Sequence, residues 1–246
     1  MRRGLDALLN LFYPGDCFLC GTAVTRTREQ SVCRLCWEKV LSLDIRPPWC
    51  ACCGLPFQME LPAEEHLCGR CTVEMPPYAA ARSFGYYTAE ISRMIQGFKF
   101  ERRRNLAALL APLLAAAFGS TWSRTDFDLV VPLPLHPRRR RERGFNQSAL
   151  LASRLSMYLI IPCSEGALTR VRHTPPQVGL ADAERSLNIR GAFTCGRREL
   201  VADRRILLVD DVMTTGATAA SATEALRKAG AVSVAVLTVA RTVPGM

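Results

Sequence analysis

A parallel-sheet α/β domain preceded by a small cysteine-rich module is the fold class that this 246-residue chain predicts. Nine of its 11 cysteines lie between Cys17 and Cys71, and eight of those nine form Cys-x2-Cys pairs. After Pro76-Pro77, apolar β-branched runs such as Arg205–Asp210 and Val232–Val239 alternate with helical stretches, as buried parallel strands and their crossovers do. Charge shifts at the same place: residues 1–76 hold 8 basic and 9 acidic side chains, residues 77–246 hold 24 and 13. Two compositions imply two domains, 1–76 and 77–246.

With 22% charged and 49% apolar residues, the chain is neither disordered nor collagen-like in composition. Its longest nearly pure apolar stretch, Leu106–Phe118, contains Pro112 and falls short of the roughly 20 residues a membrane span needs. The N-terminal MRRGLDALLNLF is broken by Asp6 and Asn10 and lacks a small-residue cleavage site, so it reads as a short amphipathic helix and the cytoplasm is the expected compartment. The basic second domain expects phosphate-bearing partners.

In the first module the pairs are Cys17/Cys20, Cys33/Cys36, Cys50/Cys53 and Cys68/Cys71. Two such pairs can place four thiolates around one Zn²⁺, and a closed four-cysteine site is structural because it leaves no open position. A disulfide framework would need an oxidising compartment, for which no export signal speaks. The expectation is a double zinc ribbon with two structural zinc ions; sequential pairing of the knuckles is favoured, although ribbons can interleave. Eight thiolates and two Zn²⁺ bring the formal +10 to about +6, all of the loss in the acidic module. Cys52 is off register and His66 is superfluous beside four cysteines, while Trp37 and Trp49 are expected to pack over the knuckles.

The second domain reads as strand Ala81–Tyr87, helix Glu90–Phe98 and a helix over Leu106–Phe118 that kinks or restarts at Pro112. Strand Leu129–Leu133, helix Gln147–Tyr158 and helix Thr218–Ala229 follow, the last closed by Gly230 at C′. Ligands are expected at the carboxyl ends of the strands.

The sharpest signal runs from Ile206 to Thr218: an apolar strand, the pair Asp210-Asp211, then a hydroxyl- and glycine-rich turn opening a helix. The hydroxyls of Thr214, Thr215 and Thr218, with the N–H groups of residues 215–218, form a nest for a phosphate monoester. Two carboxylates cannot share that phosphate without repulsion, but they can accept hydrogen bonds from vicinal sugar hydroxyls. A ribose 5-phosphate meets both demands. No P-loop or GxGxxG motif is present, and the 35 residues after Asp211 are too few for the rest of a receiver domain.

This segment resembles the 5-phosphoribosyl-1-pyrophosphate (PRPP) motif of type I phosphoribosyltransferases, and the whole chain resembles the ComF family, a double zinc ribbon followed by a phosphoribosyltransferase domain. Further marks of the likeness are Phe98-Lys99-Phe100, Val131–Pro134, Arg143–Gln147, and Gln177, Arg185 and Asn188 before Ala192-Phe193. The resemblance implies a Rossmann-like parallel sheet and a part in natural competence or the use of imported DNA, with competence-machinery proteins as candidate partners. It also implies a PRPP site over Asp210, Asp211, Thr214, Thr215, Gly216, Ala217 and Thr218, with Leu133 in a pyrophosphate loop and a mobile loop over residues 170–190.

Several residues are read beside that site. Pro132 and Pro134 lack N–H groups, so Leu133, Leu135 and His136 are left to supply pyrophosphate donors. The loop Pro137–Gly144 carries Arg138, Arg139, Arg140, Arg141 and Arg143, either a pyrophosphate clamp or a track for single-stranded DNA. Arg143, Asn146 and Gln147 are placed to face the ligand, and Gln177, Arg185 and Asn188 are lid or interdomain contacts. Lys99 pairs with a ligand phosphate or a surface carboxylate, and His136 and His173 are bystanders. Two functions compete. In one, an active transferase uses Mg²⁺-PRPP and a base or amine acceptor, with Asp210 and Asp211 as catalytic groups. In the other, a PRPP-binding protein handles single-stranded DNA, although Phe145 is the only aromatic residue interleaved with the arginines.

Overall fold

The computed structural model describes residues 15–24, 31–58, 66–172, 189 and 191–243. The predicted N-terminal helix and the expectations for His173, Gln177, Arg185 and Asn188 lie outside the described residues. The chain opens with a two-stranded antiparallel ribbon, β1 (Gly15–Asp16) and β2 (Ala23–Val24), then α1 (Arg34–Leu41) and α2 (Gly69–Val73). Cys33 caps α1 by accepting from the Cys36 N–H, so one side chain serves both helix start and knuckle.

A four-stranded sheet follows, made of β3 (Ala80–Tyr86), β4 (Leu129–Pro132), β7 (Arg205–Met213) and β8 (Ser233–Arg241), in the order β3-β8-β7-β4 and parallel throughout. Between β3 and β4 run α3 (Ala89–Phe100) and α4 (Leu106–Gly119). Next come α5 (Pro137–Arg143), α6 (Gln147–Leu159) and a small antiparallel pair, β5 (Thr169–Arg170) with β6 (Phe193–Thr194). Helix α7 (Ala217–Lys228) joins β7 to β8. No helix among the described residues is long and apolar enough to cross a membrane.

Alternation along β7 divides the core. Leu207 and Val209 join one cluster with α3, α4 and α6, whereas Ile206 and Leu208 join a second cluster with α7. Among the described residues the cysteine module shares its buried side chains with these two clusters. Cys17 and Cys36 lie in the first cluster, and Cys50, Cys53, Cys68 and Cys71 lie in the second.

Three expectations on the elements are corrected. Helix α4 does not restart at Pro112 but runs through it as one element, with Leu110, Ala111, Leu113 and Leu114 buried around the lost hydrogen bond. Strand β7 does not stop at Asp210 but pairs with β8 as far as Met213–Arg241. The arginine run is no loop: His136 accepts from the Arg138 N–H at the N-terminus, Pro137 occupies the first turn, and Gly144 (φ +80°) closes helix α5.

Candidate functional site at the strand ends

Each group of four cysteines brings its sulfurs within 4.8 Å of one another, Cys17/Cys20/Cys33/Cys36 in one and Cys50/Cys53/Cys68/Cys71 in the other. The pairing is sequential. The Sγ separations of 3.7 Å for Cys20–Cys33 and 3.6 Å for Cys53–Cys68 approach the edge of a tetrahedron with legs of about 2.3 Å, so the donor set fits zinc. Knuckle N–H groups point at the sulfurs, Cys33 to Cys17 Sγ at 3.2 Å and Cys68 to Cys50 Sγ at 3.3 Å. Burial works against ionising Cys50, but these N–H donors outweigh it and bring the thiol down to about 7. Cys52 and His66 belong to neither group.

The strand extension decides how the acidic pair is used. Neighbouring residues on a strand face opposite sides, and Asp210 and Asp211 take different partners while staying close enough to feel each other's charge. Asp211, 3% exposed, takes Lys99 of α3 on Oδ1 at 2.7 Å, while its Oδ2 is buried with no hydrogen bond among the described residues. Asp210 accepts from Ser148 Oγ at 2.8 Å and from the Asp211 N–H at 2.9 Å. Burial first, and the Asp211 charge second, push the Asp210 carboxyl up to about 7; Lys99 and Ser148 oppose the rise. Lys99 therefore pairs with a site carboxylate, neither of the partners expected for it.

Past Met213 the chain turns through Thr214, Thr215 and Gly216 into α7. Gly216 has φ +82°, and a Cβ there would come within 2.9 Å of both Tyr78 Oη and Met213 Cε, so only glycine fits. Thr215 Oγ1 accepts from the Ala217 N–H at 3.3 Å, and the other first-turn N–H groups have no acceptor within the helix.

On the β4 side, Leu133 is corrected as a pyrophosphate donor. Its N–H already bonds Val209 O at 2.9 Å and its carbonyl accepts from Asn146 Nδ2 at 3.1 Å. Asn146 also caps α6, and buried Gln147 accepts from Arg143 Nη1 at 2.6 Å, so both hold neighbours in place. Helical periodicity splits the arginines. Arg139 and Arg143, four residues apart, are half-buried, whereas Arg138, Arg140 and Arg141 are exposed. Burial lowers the Arg143 pKa, against the pull of Asp211 and, more weakly, Asp210. Its guanidinium lies 5.3 Å from the Phe100 ring centroid, and Phe100 is 72% exposed. Sequence reasoning missed Ser148, Tyr78, Arg241 and the pairing of Phe100 with Arg143, none of which has a local signal.

The double zinc ribbon domain family matches residues 8–77 and the phosphoribosyl transferase domain family matches residues 145–243. The DNA utilization protein YhgH of Escherichia coli K12 is 35% identical over 237 residues, 94% of this chain and 99% of that protein. Competence protein F of Haemophilus influenzae is 33% identical over 217 residues, 87% of this chain and 91% of that one. Among solved structures, glutamine PRPP amidotransferase from B. subtilis aligns with 52% of this chain and 24% of its own, at 25% identity and TM-score 0.35.

Proposed function

Because the chain belongs to the ComF family, with competence protein F and the DNA utilization proteins among its members, we propose that it binds PRPP at the carboxyl end of β7 and acts in the use of imported DNA. The observation that carries the reading is the buried Lys99–Asp211 pair, with Asp211 Oδ2 left unbonded, one short turn before the nest at 214–218. A ribose 5-phosphate would satisfy both: its phosphate at the nest, its hydroxyls at the acidic pair. The division at 76/77 is part of this proposal, with the ribbon as scaffold and the sheet as ligand site.

Magnesium suits the same donor set, since Asp210 and Asp211 are hard oxygen ligands. Bound with PRPP, it would neutralise charge on the pyrophosphate. The chain's own residues do the rest. Lys99 balances one carboxylate, Ser148 orients Asp210, and half-buried Arg139 and Arg143 suit the pyrophosphate side.

The outward arginines support a second, compatible role. Arg138, Arg140 and Arg141 stand exposed on one short helix, with Phe100 exposed beside Arg143, as a single-stranded DNA contact requires. Calorimetry tests both roles. Thr215→Val should weaken ribose 5-phosphate and PRPP alike, because it acts on the phosphate they share. Replacing Arg138, Arg140 and Arg141 by Ala should spare PRPP and make the salt slope of DNA binding shallower by up to about 2. Equal binding of both ligands by wild type and Thr215→Val would misplace the pocket, and unchanged DNA binding would remove the arginine track.

A further inference from the structure

The two groups of four cysteines share a ligand pattern but not an environment. In the second, Cys50, Cys53, Cys68 and Cys71 are each 8% exposed or less. In the first, Cys17 and Cys36 are buried, Cys33 is half-buried and Cys20 is exposed. Both groups carry the same Cys-Gly turn, and the surroundings of its glycine show why they differ. A Cβ at Gly54 (φ +70°) would collide with the Ala81 carbonyl, so the turn after Cys53 lies hard against β3. A Cβ at Gly21 (φ +75°) would meet nothing within 4 Å, so the turn after Cys20 stands open to solvent.

The neighbours of Cys20 supply the chemistry. Its Sγ lies 3.7 Å from the Sγ of Cys33, the other cysteine of the group that solvent reaches. Zinc ligation keeps both sulfurs deprotonated, and a thiolate is the nucleophilic form of cysteine. With a peroxide as the electrophile the reaction balances. Cys20 Sγ attacks one peroxide oxygen: an S–O bond forms, the O–O bond breaks, and hydroxide leaves behind a sulfenic acid. Cys33 Sγ then attacks the Cys20 sulfur: an S–S bond forms, the S–O bond breaks, and a second hydroxide leaves. Two thiolates have given up two electrons, the peroxide has been reduced to two hydroxides, and the metal has lost two of its four ligands. The change would be felt at α3. Phe18, between Cys17 and Cys20 in the chain, is 8% exposed, presses on Gly97 and lies under the guanidiniums of Arg93 and Arg103, at 4.5 and 4.6 Å from its ring centroid.

We propose that Cys20 is a site of covalent modification by oxidants of the peroxide class, with Cys33 as its resolving partner and release of the first zinc ion as the outcome. The assignment rests on zinc filling both groups of cysteines, and it is independent of what binds at the end of β7.

The test exposes the full-length, zinc-loaded protein to hydrogen peroxide, follows zinc with a chromogenic chelator and maps disulfides by mass spectrometry. About one zinc per chain should leave roughly tenfold faster than the other, together with a Cys20–Cys33 disulfide. Dithiothreitol with added Zn²⁺ should reverse both changes. Cys20→Ser disturbs the first zinc before any oxidant is added, so the decisive readout is the disulfide map of the intact chain. Cys52→Ser, which removes a buried thiol outside both groups, should leave the fast phase and the map unchanged. Loss of both zinc ions at one rate, a first disulfide within the second group or through Cys52, or no reaction at Cys20 would overturn the assignment. If elemental analysis finds no zinc in the untreated protein, the zinc reading itself falls and takes this site with it.

Discussion

The first knuckle docks through a side chain: the Phe18 ring presses on Gly97 of α3, with the guanidinium of Arg93 4.5 Å from its centroid. The second docks through backbone. The Ala81 N–H donates to Cys52 O at 2.7 Å, Arg82 Nη1 to Ala51 O at 3.1 Å and Arg241 Nη1 to Cys53 O at 2.5 Å. The two knuckles also lie in opposite core clusters, and among the described residues the second, not the first, lines a cleft of about 560 Å³ beside the turn at 214–216. One ligand pattern therefore serves two purposes. The first knuckle braces helices, and the second is hydrogen-bonded to the start of β3 and the end of β8.

The largest expected effect is loss of a knuckle, since structural zinc contributes apparent energies on the order of 10 kcal/mol. Cys50→Ser should release about one zinc per chain and abolish ribose 5-phosphate binding. Cys20→Ser, at an exposed sulfur in the first knuckle, should also release one zinc yet leave that affinity within about threefold. Elemental analysis with calorimetry reads both; equal effects of the two variants on ligand affinity would erase the distinction.

Next in size is the ion pair. Lys99→Met leaves Asp211 buried and uncompensated, which should cost about 3–5 kcal/mol in denaturant unfolding, and removing both charges with Lys99→Met/Asp211→Asn should recover most of it. Smaller again is a pair of glycine substitutions that compares the docking contacts directly. A Cβ at Gly54 (φ +70°) would meet the Ala81 carbonyl, which is backbone and cannot yield; a Cβ at Gly97 would meet the end of the Phe18 ring, which can turn. Gly54→Ala should therefore lower Tm more than Gly97→Ala, whose overpacking should cost roughly 1–3 kcal/mol.

How much of this was legible divides along the same line. Cys-x2-Cys spacing and the Ile206–Thr218 motif are local, and the structure builds both knuckles and the turn from them. The partners of the carboxylates are not local. Lys99 and Ser148 reach the end of β7 from two different helices, and no spacing announces that meeting. Helix α5 lacks apolar periodicity, so its arginines hid it. The signals that could have found it were Pro137 in the first turn and Gly144 at C′. The Leu133 N–H, just past β4, looks free in the sequence because only the fold brings Val209 O of β7 to it.

The smallest effect is a pH dependence. The Asp210 pKa in the fold, about 7, lies above its ordinary 3.8, so the native state holds the proton more tightly. That contribution to stability is fully present below pH 3.8 and is lost as pH rises through 7. Asp210→Asn should therefore raise Tm relative to wild type at pH 8, by roughly 2–4 °C per kcal/mol relieved, and show no such gain at pH 4. A gain of equal size at both pH values would assign it to packing.

The most direct measurement is a calorimetric titration of wild type and Asp211→Asn with Mg²⁺-PRPP. Wild type should bind, and the variant should bind about 10-fold or more weakly, the loss of a charged acceptor worth roughly 1.5–3 kcal/mol. Equal affinities, or no heat with wild type at millimolar PRPP, would contradict a PRPP site at the end of β7.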